Sequence, residues 1–175
     1  MDRVLVVGTT GSGKTTLASA LAKHLDAPHV ELDGLFWKPG WVQSDGEQFR
    51  SDVLAATAGP RWAACGNYSR KLGMVLWERA DTVVWLDPPL SLLLWRILRR
   101  TVKRSVRRTQ LWAGNREKVS NLWRKDSLVL WAVQTHPQHR VAYSAATTDP
   151  RWAHLTIVRL RSPRAVRRWL RATIG

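Results

Sequence analysis

A chain of 175 residues, 45% of them hydrophobic, has enough material for one domain with a full core, so we expect a single unit spanning 1–175. No run of about eighteen uninterrupted apolar residues occurs and the N-terminal apolar run is short, which speaks against a membrane span or signal peptide and for a cytoplasmic location. One cysteine, Cys65, excludes an internal disulfide framework and a cysteine metal cluster. The net charge of +15 calls for an acidic partner. Phosphorylated small molecules, nucleic acid and anionic membrane surfaces all satisfy that demand. The 11 tryptophans are scattered from Trp37 to Trp169, a spread that suits core and groove-lining positions better than one stacking platform.

Strand and helix patterns alternate along the chain, which predicts a parallel sheet covered on both faces. Residues 3–7 read as a first, buried strand. A helix follows over 14–25, with Leu17, Leu21 and Leu25 recurring on one face. A short second strand spans 29–32 and ends at Asp33-Gly34. Ser44 and Glu47 have capping-box spacing before a helix that turns Phe49 and Val53 inward and stops at Gly59-Pro60. Strand three is 62–65, a short helix covers about 72–79, and strand four runs over 82–86 to Asp87-Pro88-Pro89. The helix from Leu90 is apolar first and basic last. The arginine-rich stretch 104–116, broken at Gly114-Asn115, reads as an excursion over the site, a lid of about 101–122. Residues 117–144 are expected to be mainly helical with a break at His136-Pro137. Strand five is 155–160, and Ser162-Pro163 supplies cap and first-turn proline for a last helix reaching about 173.

Gly8, Thr9, Thr10, Gly11, Ser12, Gly13, Lys14 and Thr15 spell G-x-x-x-x-G-K-[ST] directly after the first strand. The glycines let backbone N–H groups crowd around phosphate oxygens at a helix N-terminus. Lys14 would reach the β- and γ-phosphates, the Thr15 hydroxyl suits a Mg²⁺ ion bridging them, and Thr16 is expected to be a packing residue or a first-turn hydroxyl. Asp33 is the candidate base, orienting group or water-mediated Mg²⁺ holder, sharing a strand face with Glu31; alternatively it only starts a turn with Gly34. Asp87 closes an apolar strand and is the second candidate acid. None of the five histidines has metal-ligand spacing or a nucleophile partner, so none receives a catalytic role.

The segments 31–41, Gly66-Asn67-Tyr68-Ser69, 94–100 and 114–117 together resemble a small nucleoside-monophosphate-kinase-like P-loop kinase, within the adenylate-kinase-related group labelled DNA topology modulation (FlaR-like) proteins. The resemblance covers nearly the full chain. It implies a three-layer α/β/α P-loop NTPase fold, a five-stranded parallel sheet in order 2-3-1-4-5 and an arginine-rich helical lid. ATP would sit on the phosphate loop and a small-molecule acceptor above strands two and three. Arg104, Arg107 and Arg108, then Arg100 and Arg116, would clamp phosphates. Gly66, Asn67, Tyr68, Arg70, Trp37 and Trp41 would line the acceptor pocket, and Arg161 would lie where relatives contact adenine. In this group the residue before Gly-Asn-Tyr is commonly an aspartate resembling a Mg²⁺-site acid. Here it is Cys65, and a thiol is a poor ligand for that hard ion.

The first reading is therefore a Mg²⁺- and ATP-dependent kinase of a nucleotide, nucleoside or similar metabolite. A kinase of a small hydroxyl metabolite or antibiotic is the second enzyme reading, since the Glu31/Asp33 pair suits hydroxyl activation. A regulator that binds ATP or nucleic acid with weak or no catalysis is the non-enzyme reading. It ranks lower because no helix-turn-helix, zinc or RNA-recognition signature is present.

Overall fold

The computed structural model describes residues 1–106, 110–115 and 127–175. Five parallel strands form the central sheet: β1 (Arg3–Gly8), β2 (His29–Glu31), β5 (Trp62–Cys65), β6 (Thr82–Leu86) and β7 (Thr156–Leu160), ordered β2-β5-β1-β6-β7. Counting only these five, the order is the expected 2-3-1-4-5. A separate two-stranded hairpin pairs β3 (Trp37–Lys38) with β4 (Val42–Gln43).

Alternation in β1 divides the core. Leu5 and Val7 join a cluster with Phe49, Val53 and Trp77, whereas Val4 and Val6 join Leu17, Leu21 and Leu25 on the other face. The second face is covered by α1 (Lys14–Leu25) and the inner side of α8 (Pro163–Ile174). The first carries α2 (Leu32–Phe36), α3 (Gly46–Ala56), α4 (Ser69–Leu72), α5 (Val75–Arg79) and the inner residues of α7 (Leu128–Ala146). Trp62 and Trp85 are fully enclosed, which accounts for two of the tryptophans as packing. Helix α6 (Leu90–Val106) follows β6 and lies against the phosphate loop, with Leu93 and Ile97 beside Gly11. None of the helices is long and apolar enough to cross a membrane among the described residues.

Several local expectations are corrected. Asp33 and Gly34 lie inside α2 instead of ending a strand. Helix α3 is capped by Asp45, which accepts from the Glu47 and Gln48 amides, not by Ser44. The single helix expected over 72–79 is two, because Gly73 adopts φ 63, ψ −150 between them. Helix α7 runs through Pro137 without a break. Ser162 does cap α8, accepting from the Ala165 amide at 3.1 Å. In the expected lid, residues up to Val106 continue α6 and Trp112–Gly114 form a 3-10 turn, while Arg107, Arg108 and Arg116 lie outside the described residues.

Candidate active site

The site forms where β1 and β2 end. Gly8 has φ +140, and a Cβ there would stand 2.4 Å from the Leu86 carbonyl oxygen, so the backbone course of the loop requires glycine. Gly13, at φ +101, turns the chain into α1 without a side-chain cap and leaves the first helical amides facing the loop. The Ser12 hydroxyl is buried and, among the described residues, has no hydrogen-bond partner. This cradle of glycine backbone, helix N-terminus and orphaned hydroxyl fits a bound phosphate chain.

Asn67 holds the loop from outside. Its amide donates to the Gly8 carbonyl at 2.6 Å, its Oδ1 accepts from the Gly8 N–H at 3.1 Å, and the Tyr143 hydroxyl donates to the same Oδ1 at 3.1 Å. Asn67 is thus a loop brace, a different place from the acceptor-pocket wall expected. The Lys14 ammonium folds back onto the carbonyls of Gly8 and Thr9, at 2.7 and 3.3 Å. Burial lowers its pKa, opposed by the charge of Asp33 and, further down, of Glu31. Arriving phosphate oxygens would restore the preference for the charged form.

Two acids face the loop. The Thr15 hydroxyl donates to Glu31 Oε1 at 2.7 Å, and the Trp112 indole N–H donates to Glu31 Oε2 at 2.8 Å. Asp33 accepts from the Tyr68 hydroxyl at 2.6 Å. Burial first, then the Asp33 charge, pushes the Tyr68 pKa up, so this phenol stays protonated and keeps donating. Cys65 lies beneath, 3.9 Å from Thr15 Oγ1 and 3.7 Å from His29 Nε2. Burial and then Glu31 push its thiol up to about 12, so it is neutral near pH 7. Among the described residues no group of three or more His, Cys, Asp or Glu could hold a metal ion. The hard-oxygen pair Thr15 and Glu31 nevertheless fits Mg²⁺, which takes one or two protein oxygens and fills the rest with water and phosphate.

Asp87, beside the loop at the end of β6, is already paired. Both its oxygens are taken by guanidinium groups, Oδ2 by Arg159 at 2.6 and 3.0 Å and Oδ1 by Arg140 at 3.3 Å. That pairing gives it an ion-pair role at the end of β6. The Arg96 guanidinium donates to the Ser12 carbonyl at 3.2 Å, and Arg100, one turn further along α6, is close enough to lower the Lys14 pKa. Arg104 lies in the last turns of the same helix. The Arg70 guanidinium reaches Gln138 on α7 at 3.1 Å, while Arg161 is exposed just past β7. Trp37 and Trp41 meet edge to face at 5.6 Å, with Trp37 partly packed against Phe36. Gly66, at φ +150, lets the end of β5 pass close to Leu32, where a Cβ would meet carbon at 2.8 Å.

Five residues of the site hold places that no local pattern marks. Glu31 is expected only as the partner of Asp33 in hydroxyl activation, and Trp112 has no expected role, since a contact across 81 residues leaves no local pattern. His136 and His139, one turn apart on α7, both put Nδ1 within 3.3 Å of the Thr9 hydroxyl. Burial, with Lys14 next in weight, lowers His139 to about 4. The Asn115 side chain bonds the Lys38 carbonyl at 2.9 Å and the Trp41 amide at 3.0 Å, fastening the Trp112 turn to the β3–β4 hairpin.

The architecture is shared with small P-loop kinases. A shikimate kinase from Acinetobacter baumannii, solved in complex with shikimate, is 18% identical with a TM-score of 0.60, over 99% of this chain and 90% of that one. A gluconokinase from Sinorhizobium meliloti 1021 is 19% identical with a TM-score of 0.52, over 99% and 93% of the two chains. At these identities the likeness speaks for the fold. The sequence pattern of a family described as AAA domain matches residues 4–118, from β1 through the loop and both acids to just past the Trp112 turn, and the chain belongs to that family.

Proposed function

We propose that the protein is an ATP- and Mg²⁺-dependent small-molecule kinase. The observation that carries this reading is the joint placement, at one sheet edge, of the phosphate loop with Lys14, the Thr15–Glu31 oxygen pair and a separate carboxylate, Asp33. Lys14, the loop amides and the helix N-terminus hold the triphosphate and take up charge that develops on the transferring oxygens. Mg²⁺, held by Thr15 and Glu31, would neutralise the β- and γ-oxygens. With Oδ1 held by the Tyr68 hydroxyl, Asp33 would use Oδ2 to orient an acceptor hydroxyl and receive its proton. The acceptor oxygen then bonds to the γ-phosphorus as the bond to the β-bridging oxygen breaks, and ADP leaves. Arg100 and Arg104 on α6, with Arg107, Arg108 and Arg116, are the candidate phosphate clamps.

For the acceptor we propose a nucleotide or nucleoside, with Tyr68, Arg70, Trp37 and Trp41 along its side of the site. The tyrosine-held Asp33 favours, as second reading, a small hydroxyl metabolite, because a fixed carboxylate suits activation of an alcohol. Mg²⁺-dependent ADP formation from ATP across nucleoside monophosphates, nucleosides and small polyols tests both, with Lys14→Ala protein as the blank. Acceptor-stimulated turnover that falls at least about a hundredfold in Lys14→Ala is expected. Wild-type turnover in that variant would overturn the loop's assigned role.

A further inference from the structure

The net charge of the chain is segregated along its length. Residues 1–87 carry 9 Lys and Arg against 10 Asp and Glu, whereas residues 88–175 carry 19 against 3, and no acid follows Asp149. Helix α8 concentrates this excess. Arg164, Arg167, Arg168 and Arg171 recur at i, i+3, i+4 and i+7, so they share one face, and all four are exposed and line one shallow surface depression with Ala172.

This arrangement works against the stability of the helix. Like charges at these spacings repel, Arg164 stands at the positive end of the helix dipole, and the first turn contains no acid. No hydrogen bond or ion pair joins any of the four to another described residue. The opposite face is committed to the fold: Val166, Trp169, Leu170 and Ile174 pack on the core cluster under α1. No large apolar side chain of α8 is among the exposed ones, so the helix has nothing to insert into a bilayer.

We infer that the outer face of α8 is a docking surface for the phosphodiester backbone of nucleic acid, apart from the phosphate loop. Four guanidinium groups span about 10 Å of helix, a charge every 3 Å or so, close to the 3.4 Å axial spacing of phosphates along one strand of a duplex. All the basic groups on the helix are arginines, whose planar forks match phosphate oxygens bidentately. Recognition is of backbone charge and carries no base preference. The inference does not depend on the kinase reading.

Anisotropy of a labelled 20-base-pair duplex, measured between 50 and 200 mM salt with saturating Mg²⁺-ATP to occupy the loop, tests it. The fourfold variant Arg164→Gln/Arg167→Gln/Arg168→Gln/Arg171→Gln is expected to bind at least tenfold more weakly, with the slope of log K against log salt reduced by about 3 to 4. The matching fourfold Arg→Lys variant is expected to keep most of the slope, and circular dichroism to show both variants folded. A Gln variant with wild-type affinity and slope would overturn the proposal. So would stripe-dependent binding to vesicles rich in anionic lipid with no binding to the duplex.

Discussion

Cys65, Glu31 and Trp112 together set the surroundings of the Thr15 hydroxyl. With Cys65 neutral, the carboxylate beside Thr15 is that of Glu31, and the Trp112 indole holds its other oxygen. Cys65→Asp would place a second carboxylate next to Glu31 in a buried spot. In EDTA it is expected to lower stability by about 2–4 kcal/mol, through desolvation and like-charge repulsion. With Mg²⁺ and ATP that loss should shrink, and the Mg²⁺ concentration for half-maximal ADP formation should fall. Melting temperatures and a Mg²⁺ titration check the two halves; an unchanged titration would count against a metal site at this edge. His139 gives a pH dependence. The folded protein keeps it neutral down to about 4, against an ordinary value of 6.5. Its stabilising share is therefore complete above pH 6.5 and is lost as pH falls toward 4, on the order of 1–3 kcal/mol after solvent screening. His139→Gln should flatten urea-measured stability across that window.

At the scale of elements, α7 shows tertiary packing overriding local sequence. Pro137 lacks the N–H that would bond the Val133 carbonyl and ordinarily breaks a helix. The helix nevertheless continues because Ala132, Tyr143 and Ala146, on both sides of the proline, are buried against the sheet and α6. Pro137→Ala is expected to raise stability by about 1–3 kcal/mol, several degrees in melting temperature for a chain of this size. It should also change the His136 and His139 contacts to Thr9, visible as altered imidazole titration by NMR. The same contrast divides the other elements. β1, α1, β5 and β6 were legible because buried strands and a one-faced helix impose strong periodicity. The split at Gly73 and the short α2 were not, because a five-residue helix has no period to read.

At the scale of the molecule, a charge of +15 on 175 residues makes the folded state self-repelling. Raising ionic strength from about 20 to 200 mM should therefore raise the melting temperature, with most of the gain below 100 mM where the Debye length shrinks toward 10 Å. A melting temperature that falls with added salt would mean that attractive pairs such as Arg159–Asp87 outweigh the repulsion. The sequence by itself determined the phosphate loop and the parallel α/β architecture, with the strand order through the family resemblance, and it named Lys14, Thr15 and Asp33 as candidate site residues. Those features rest on short-range rules: a glycine pattern tied to one backbone course, and hydrophobic periods tied to one element type. Only the tertiary structure decided that Asp87 is spent on Arg159 and Arg140, that Asn67 braces Gly8, and that Glu31 is held between Thr15 and Trp112. Each of these is a contact between residues 16 to 81 positions apart, where a side chain's partner is set by which strand ends the sheet brings together and no local spacing encodes it.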